Sequence, residues 1–272
     1  MSVLNGLLSG LFDALLYPFR DLPAIVGLTV VSLVTGVAML LVFKATSDQA
    51  ALAVVKRKIH AGIIEIRLFS DDPLAILRAQ AETLRLSLRY MKLTLVPTLW
   101  MIVPLVLMII QLQHHYGYRG LEAGGAAVVK VELESLSQSS PMLSLEAPPG
   151  LEVETPAVWI PSLDEADWRI RAQRSGDFEL RVHVDDAEVT KRVRVSDAIV
   201  RRAPVRASSK FLDQLLYPAE PPIPSGPVKA VSISYPDAAV SVLGWNVHWL
   251  IVFFILAMLA AFALRRPFRV TL

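Results

Sequence analysis

The chain contains no cysteine among its 272 residues. This absence excludes disulfide bridges, thiolate metal ligands and cysteine nucleophiles, and it leaves the redox compartment of the protein unspecified. An excess of charge of one sign is missing too, since 27 basic and 25 acidic residues give a formal net charge of +2. So small an excess does not predict DNA or another nucleic acid as a partner.

The sequence signatures of catalysis are also missing. The chain has no H-E-x-x-H zinc motif, no Walker A loop, no G-x-S-x-G elbow and no dinucleotide-binding fingerprint. Its histidines form no metal-ligand spacing with carboxylates, and no acid, base or nucleophile pair lies within its apolar stretches. The sequence therefore predicts a protein that is not an enzyme, with no catalytic residue, no bound metal and no cofactor.

Apolar residues are what the sequence has in excess, at 54% of the chain with a mean hydropathy of +0.49. Three stretches, 22–43, 93–118 and 238–264, contain no charged residue other than histidine. The hydrocarbon core of a bilayer is about 30 Å thick, and about 20 helical residues cross it. We therefore predict three transmembrane helices, at 22–43, 93–115 and 243–264.

The segment 1–21 does not resemble a cleaved signal peptide, because it has no basic start and carries Asp13 and Asp21. Its leucines recur on one broad side of a helix, which is typical of a helix that lies in the membrane interface. We predict an amphipathic interfacial helix at 1–21.

Basic residues indicate how the chain is oriented in the membrane. The segment 44–92 carries nine Lys and Arg residues and the tail 265–272 carries three, whereas segment 1–21 carries one. Short cytoplasmic segments are enriched in Lys and Arg. We therefore predict a protein of the cell (inner) membrane, with its N-terminus outside and with segment 44–92 and the C-terminus in the cytoplasm.

The segment 44–92 has the pattern of a helical hairpin with a break at 70–73. Asp72 is placed to cap the second helix and Pro73 to begin it. Apolar residues of the second arm recur at alternating intervals of three and four, at Leu74, Leu77, Ala81, Leu84, Leu88, Met91 and Leu95. This heptad spacing predicts that the arm pairs with the first arm as an antiparallel coiled coil. The alternative is that both helices lie flat on the inner leaflet.

Between the second and third apolar stretches the period changes to two residues. The segments around Trp168, Phe178 and Val189 alternate apolar and polar residues, which predicts a three-strand meander with turns at 175–176 and 185–186. With shorter strands upstream, this predicts an immunoglobulin-like β-sandwich at 119–203, outside the cell. Seven prolines at 204–237 predict a stiff, extended tether back to the membrane.

Hydroxyl-bearing and small residues cluster on the first predicted span, at Thr29, Ser32, Thr35 and Gly36. Because hydroxyl groups gain nothing from facing lipid, this side is expected to meet another helix or water. The pattern leaves both a packing face and a hydrated groove open.

The order of these parts resembles the core of the YidC/Oxa/Alb membrane insertase superfamily. The resemblance covers residues 1–118 and 238–272: an outside interfacial helix, a span, a cytoplasmic hairpin and a span, followed by an outside segment and a last span. It implies a membrane α+β fold with three transmembrane helices and a cytoplasmic helical hairpin, into which this chain inserts an extracytoplasmic β-sandwich. It also implies a groove open to cytoplasm and lipid, and a hairpin that meets ribosomes or arriving chains.

Two functions follow as expectations. The first is an insertase or chaperone that helps other membrane proteins insert or assemble, with Thr29, Ser32, Thr35 and Gly36 forming the groove. Its hairpin would attract a ribosome or anionic lipids through six basic residues: Lys56, Arg57, Lys58, Arg78, Arg85 and Arg89. The second is a non-catalytic structural or assembly subunit of a larger membrane complex, whose β-sandwich binds an extracytoplasmic partner. The expected partners are membrane lipids and other membrane proteins, as clients or subunits.

Overall fold

The computed structural model describes residues 2–68, 72–134, 141–242 and 244–271 as a mixture of helices and antiparallel sheets. The helices are α1 (Ser2–Leu16), α2 (Ala24–Thr46), α3 (Gln49–Leu68), α4 (Pro73–Tyr116), α5 (Phe211–Leu216) and α6 (Trp249–Leu264). The strands are β1 (Ala126–Leu133), β2 (Leu143–Glu146), β3 (Leu151–Val153), β4 (Val158–Ile160), β5 (Glu165–Ala172), β6 (Gly176–Val184), β7 (Ala187–Val195), β8 (Val205–Ala207), β9 (Val228–Ile233), β10 (Ala239–Val242) and β11 (Trp245–His248). The chain forms two compact units, which we call the β unit (Met1–Gly27 and Met108–Leu250) and the helical unit (Leu28–Leu107 and Ile251–Leu272).

Two sheets form the centre of the β unit. The larger has the order β3-β5-β1-β9-β8, with β4 also paired to β5, and the smaller has the order β2-β6-β7. Apolar residues at alternate positions of both sheets share one buried cluster, which includes Val129, Trp168, Leu180, Val193 and Val231. The period of two in the sequence therefore corresponds to strands that each turn one face toward a core shared by the two sheets.

The predicted three-strand meander is wrong in one of its two pairings. β6 and β7 form an antiparallel hairpin over the turn at 185–186, as predicted, but β5 pairs with β1, β3 and β4 and belongs to the other sheet. The chain changes sheets at Gly176, whose φ of 153° glycine adopts readily. Alternation places apolar residues on one face of a strand, but it does not specify the neighbouring strand.

The predicted tether at 204–237 is also wrong, and so is a β domain that ends at 203. This segment contributes β8, α5 and β9, and β9 lies between β1 and β8 in the larger sheet. Ile223 and Tyr235 add to the core. The prolines lie in the connections between strands, where a missing N–H removes no hydrogen bond between strands. The proline-free residues that follow Pro227 are enough to form β9.

A buried ion pair holds one of these connections onto β7. The Lys191 ammonium donates to the Glu220 carboxylate and to the carbonyl oxygen of Ala203, both at 2.6 Å, and the second carboxylate oxygen accepts from the Arg192 N–H at 2.8 Å. The two side chains are 0% and 2% exposed. Burial lowers the pKa of Lys191, and the charge of Glu220 opposes that shift. The pair therefore ties the segment after α5 to the smaller sheet.

The β unit also contains the ends of three apolar helices. Gly27, near the start of α2, lies so close to Tyr116 at the end of α4 that a Cβ atom there would collide with the tyrosine hydroxyl. Trp249, the first residue of α6, donates its indole N–H to the side-chain oxygen of Gln113 at 3.1 Å. The N-terminal ends of α2 and α6 therefore lie beside the C-terminal end of α4.

The C-terminal end of α2 meets the residues after α6 in the helical unit. Leu40 and Phe43 of α2 form a cluster with Leu52 of α3 and Val270 of the C-terminal tail. The backbone N–H of Thr271 also donates to the side-chain oxygen of Gln49 at 2.7 Å. The last turns of α2, the start of α3 and the residues after α6 are thus held together.

Among the described residues, two helices are long and apolar enough to cross a membrane: α2, and the part of α4 from Ile76 to Tyr116. The third apolar helix, α6, begins at Trp249 instead of residue 243 and has 16 residues, because the residues before it form β11. The predicted helix cap is confirmed, since the Asp72 side chain accepts from the N–H of Leu74 at 2.9 Å. The remainder of the predicted break, residues 70 and 71, lies outside the described residues.

Candidate functional site

Two hydroxyl groups of the predicted groove are satisfied within their own helix. Ser32 and Thr35 donate to the carbonyl oxygens of Leu28 and Val31, each at 2.7 Å, and both side chains are buried. A hydroxyl that bonds back to the carbonyl four residues earlier needs no water or ligand to complete it. Thr29 is partly exposed on the same helix.

Gly36 marks a close approach of two helices in the helical unit. A Cβ atom there would collide with the carbonyl oxygen of Ala257 and would lie 3.0 Å from the Cβ of Ala260, both on α6. Small residues at such a crossing let helix backbones approach within a membrane. Of the two interpretations that the sequence leaves open, this contact supports a packing face at Gly36.

The six basic residues predicted to contact a partner lie on both arms, α3 and α4. Five are exposed, namely Arg57, Lys58, Arg78, Arg85 and Arg89, and Lys56 is partly buried. Within the described part of the chain, no carboxylate forms an ion pair with any of the five exposed ones. Their charges are therefore available to an anionic partner.

The heptad residues of α4 do not pack against α3, so the predicted coiled-coil pairing of the two arms is wrong. Leu74, Leu77, Leu84, Leu88, Met91 and Leu95 are each between 53% and 63% exposed, and Ala81 is exposed as well. We call these seven residues the α4 seam. α4 instead meets α3 through small residues on its other side, where Thr83 lies against Gly62. A heptad spacing predicts a face suited to another helix, but not which helix covers it.

The exposed apolar surface continues along α4 beyond the seam. Val96, Leu99, Trp100 and Val103 are also exposed, and with Pro104 they line a shallow apolar depression. This exposed surface runs from Leu74 to Val103, about 45 Å of helix, which is longer than the ~30 Å of a hydrocarbon core. Lipid tails alone therefore cannot cover the whole of this surface. We take the α4 seam as the candidate functional site.

A second polar cluster, in the β unit, joins three distant parts of the chain. One carboxylate oxygen of Asp13 on α1 accepts from His115 Nε2 and from Arg201 Nε, both at 3.0 Å. Arg201 also donates to the carbonyl oxygen of Ser9 at 2.8 Å. Burial alone would raise the pKa of Asp13, but the hydrogen bonds and charges of His115 and Arg201 hold it below its ordinary value.

Arg202 extends this connection to the end of α4. Its buried guanidinium donates to the carbonyl oxygens of Tyr118 and Ser196, each at 3.0 Å. Its backbone N–H donates to the carbonyl oxygen of His114 at 2.8 Å. The lack of a side chain at Gly120 lets the Ser196 carbonyl approach. Burial lowers the pKa of Arg202. Four backbone carbonyl oxygens accept hydrogen bonds from its guanidinium and so stabilise the buried charge. The segment 196–202 thus connects α1, α4 and the sheets.

Sequence reasoning missed this cluster because its members are distant along the chain, with His115 at 102 residues and Arg201 at 188 residues from Asp13. The only local signal is an acid, Asp13, within an otherwise apolar helix. The cluster pairs the Asp13 carboxylate with the Arg201 guanidinium and His115, and it joins α1 to the end of α4 and to the segment 196–202. In the described ranges, no three or more His, Asp and Glu residues are grouped so that they could hold a metal ion.

No family model, curated protein or solved structure matches the chain. Its function is therefore inferred from the geometry of its own residues, and above all from the α4 seam.

Proposed function

We propose that the chain is a non-enzymatic integral membrane protein that acts as a structural or assembly subunit of a larger membrane complex, and that the α4 seam binds a partner helix there. The observation that carries the proposal is the exposure of a regular heptad face over Leu74–Leu95. Soluble surfaces rarely expose a contiguous apolar strip of this size unless it is an interaction site.

The proposed arrangement in the membrane has α2, α4 and α6 as spans, the N-terminus outside and α3 with the tail in the cytoplasm. It is supported by the helix ends. The N-terminal ends of α2 and α6 lie beside the C-terminal end of α4 in the β unit, and the C-terminal end of α2 lies beside the residues after α6 in the helical unit. The β unit, with an immunoglobulin-like sandwich, would lie outside, and α1 would lie in the interface. α6 is short at about 24 Å, and the exposed Trp245 before it suits the headgroup region.

The physical reason for a partner is the cost of leaving the seam in water. Burying a leucine side chain is worth about 1.5–3 kcal/mol, so six large apolar side chains represent a substantial driving force for association. The seam begins about one bilayer thickness before the uncharged part of α4, which starts at residue 93. Its first turns would therefore lie on the cytoplasmic side, beyond the lipid tails.

A second candidate function is the insertase or chaperone role. It is favoured by the five exposed basic residues on α3 and α4, which suit ribosomal RNA or anionic lipid. The groove weighs against it, because Ser32 and Thr35 are buried and satisfied and Gly36 lies against α6. We therefore place it second.

Photocrosslinking in living cells tests both functions. A crosslinking amino acid at Leu84 reports on the seam, and the same probe at exposed Glu82 is the matched control on the same turn. A third probe at Val34, which is exposed on α2, replaces the groove position Thr35, whose burial would not tolerate a bulky group.

For a complex subunit we expect one stable protein adduct from Leu84 and little from Glu82. For an insertase we expect many short-lived adducts with nascent membrane proteins from Val34, and ribosomal adducts from a probe at Arg57. Adducts with lipid alone at Leu84 would overturn the proposal of a helix-binding subunit.

A further inference from the structure

We infer that the α4 seam binds the α4 seam of a second copy of this chain, as a parallel two-stranded coiled coil. The inference rests on the proposed function, because it names the partner that covers the face.

The spacing of the seam is the first argument. Its members follow one another at intervals of three and four without interruption over three heptads, from Leu74 to Leu95. A period of 3.5 residues keeps an apolar stripe in register with a second helix only if both supercoil around each other. A helix lying on a membrane surface needs only a broad apolar side with a period near 3.6.

The residues beside the seam decide the direction of the partner. In the heptad register with Leu74 at a and Leu77 at d, the e positions hold Arg78, Arg85 and Lys92, and the g positions hold Gln80, Ser87 and Thr94. A parallel pair sets each g position against the e position five residues later in the other helix. Arg85 then faces Gln80 and Lys92 faces Ser87, so no cation faces another cation. An antiparallel pair would set the cations against each other.

The g positions also tolerate partial burial. Ser87 donates to the carbonyl oxygen of Thr83 at 2.9 Å, and Thr94 donates to that of Tyr90 at 3.1 Å. Because these hydroxyl groups are already bonded within α4, covering them leaves no donor unsatisfied.

Membrane orientation makes a second copy a geometrically suitable partner. Two copies inserted with the same topology present α4 in the same direction, so their seams meet in parallel and in register. Such an interface is isologous, with each residue meeting its own counterpart, as expected for a twofold dimer. The contact of α4 with α3, at Thr83 and Gly62, lies on the other side of α4 and leaves the seam free for a second helix.

The size of the face is sufficient. Six large side chains that each expose on the order of 100 Å² would bury on the order of 1,000 Å² over both copies, about the lower limit of a specific interface.

The absence of cysteine makes a direct test possible. Single cysteines are introduced into the full-length chain at two d positions and two a positions: Leu77→Cys, Leu84→Cys, Ala81→Cys and Leu88→Cys. Glu82→Cys and Arg89→Cys, at exposed b positions, are the matched controls. Native membranes are treated with a mild oxidant, and dimer at twice the 30.0 kDa mass of the chain is measured by non-reducing electrophoresis.

We expect the a and d positions to give at least five times more disulfide-linked dimer than the b positions, because only a parallel, in-register pair brings identical seam residues together. Equal yields at all six positions would indicate random collision and would overturn the inference. No dimer at any position would overturn it as well, and would assign the seam to lipid or to a different protein.

A second pair of variants separates loss of association from loss of folding. Leu84→Lys combined with Leu77→Cys should reduce the dimer yield at least fivefold, whereas Glu82→Lys with Leu77→Cys should leave it unchanged. A full dimer yield in the Leu84→Lys variant would contradict the inference. A stable adduct of Leu84 with a different protein, without same-residue disulfides, would leave the proposed function standing and remove only self-association.

Discussion

The β unit and the helical unit use equally regular apolar patterns in opposite ways. In the β unit the alternating residues of β1, β5, β6, β7 and β9 are buried in one cluster. In the helical unit the regular pattern of α4, the α4 seam, is exposed along its whole length. A sheet that folds with another sheet covers its own apolar face, whereas a long helix can leave its face for lipid or for another molecule. A regular apolar pattern therefore predicts that a face is buried, but it does not specify whether the same chain, the lipid or another molecule buries it.

Removal of the buried cation of the β unit is expected to have the largest effect on stability. Lys191→Met leaves the Glu220 carboxylate buried without its charge partner, which should destabilise the unit by about 3–5 kcal/mol. Hydrogen exchange of the β7 amides in the full-length protein measures the loss.

The matched control for this variant is Lys229→Met. Lys229 forms an exposed ion pair with Glu132 at 3.8 Å, so its loss should cost less than about 1 kcal/mol. Equal losses from the two variants would contradict the assignment of Lys191 to the interior.

Truncation of one leucine in each unit sharpens the comparison directly. Leu180→Ala removes a fully buried side chain from the sheet core and should cost about 2–5 kcal/mol. Leu84→Ala removes an exposed side chain and should change the stability of a single chain by less than about 1 kcal/mol. Thermal unfolding of both variants in dilute detergent, where copies are separated, is the measurement; a large loss from Leu84→Ala would mean that the seam packs within its own chain.

The close approach at Gly36 predicts a smaller effect within the helical unit. Gly36→Ala forces α2 away from the backbone of α6 and should cost about 1–3 kcal/mol. Gly10→Ala is the control, since a Cβ atom at Gly10 meets nothing within 4 Å and alanine is the better helix former. Thermal unfolding that ranks the two variants in the reverse order would refute packing at Gly36.

The smallest expected effect is a pH dependence at α1. Because the pKa of Asp13 is lowered in the folded protein, its contribution to stability is present above the unfolded pKa of about 4. It is lost as the pH falls through the folded pKa. The side chain is half exposed, so we expect at most about 1 kcal/mol.

The comparison of wild type with Asp13→Asn measures this contribution. The unfolding midpoint of the wild type should exceed that of the variant at pH 6, and the difference should shrink as the pH is lowered below the ordinary pKa of an aspartate. Asp21→Asn, at an exposed position that pairs with Arg20, serves as the control. A difference for Asp13→Asn that is independent of pH would show that the carboxylate charge is not responsible.

Much of the local structure follows from short patterns. The β6–β7 hairpin and its turn, the Asp72 cap and two of the apolar helices lie where spacing and residue type predict them. Each depends on residues within one or two turns of each other, so the sequence carries the whole signal.

Apart from the start of α6, the errors concern partners that are distant along the chain. The sequence did not indicate that β5 pairs with β1 or that β9 completes the larger sheet. It also did not indicate that Asp13, His115 and Arg201 meet, or that α4 turns its seam away from α3. The prolines at 204–237 were interpreted as a tether, although β8 and β9 lie between them. The heptad spacing of α4 was interpreted as a face that packs on α3, although that face is exposed.

Sequence by itself thus determined the apolar character of α2 and α4, the period of the strands, the basic arms and the absence of thiol chemistry. Only the tertiary structure decided which faces are covered within the chain. The reason is physical: the period of an element arises from its own backbone geometry, whereas its burial depends on contacts that close loops of tens to hundreds of residues. The contact of Thr83 with Gly62 illustrates this, since it places small residues between α3 and α4 and leaves seven heptad residues on the outside.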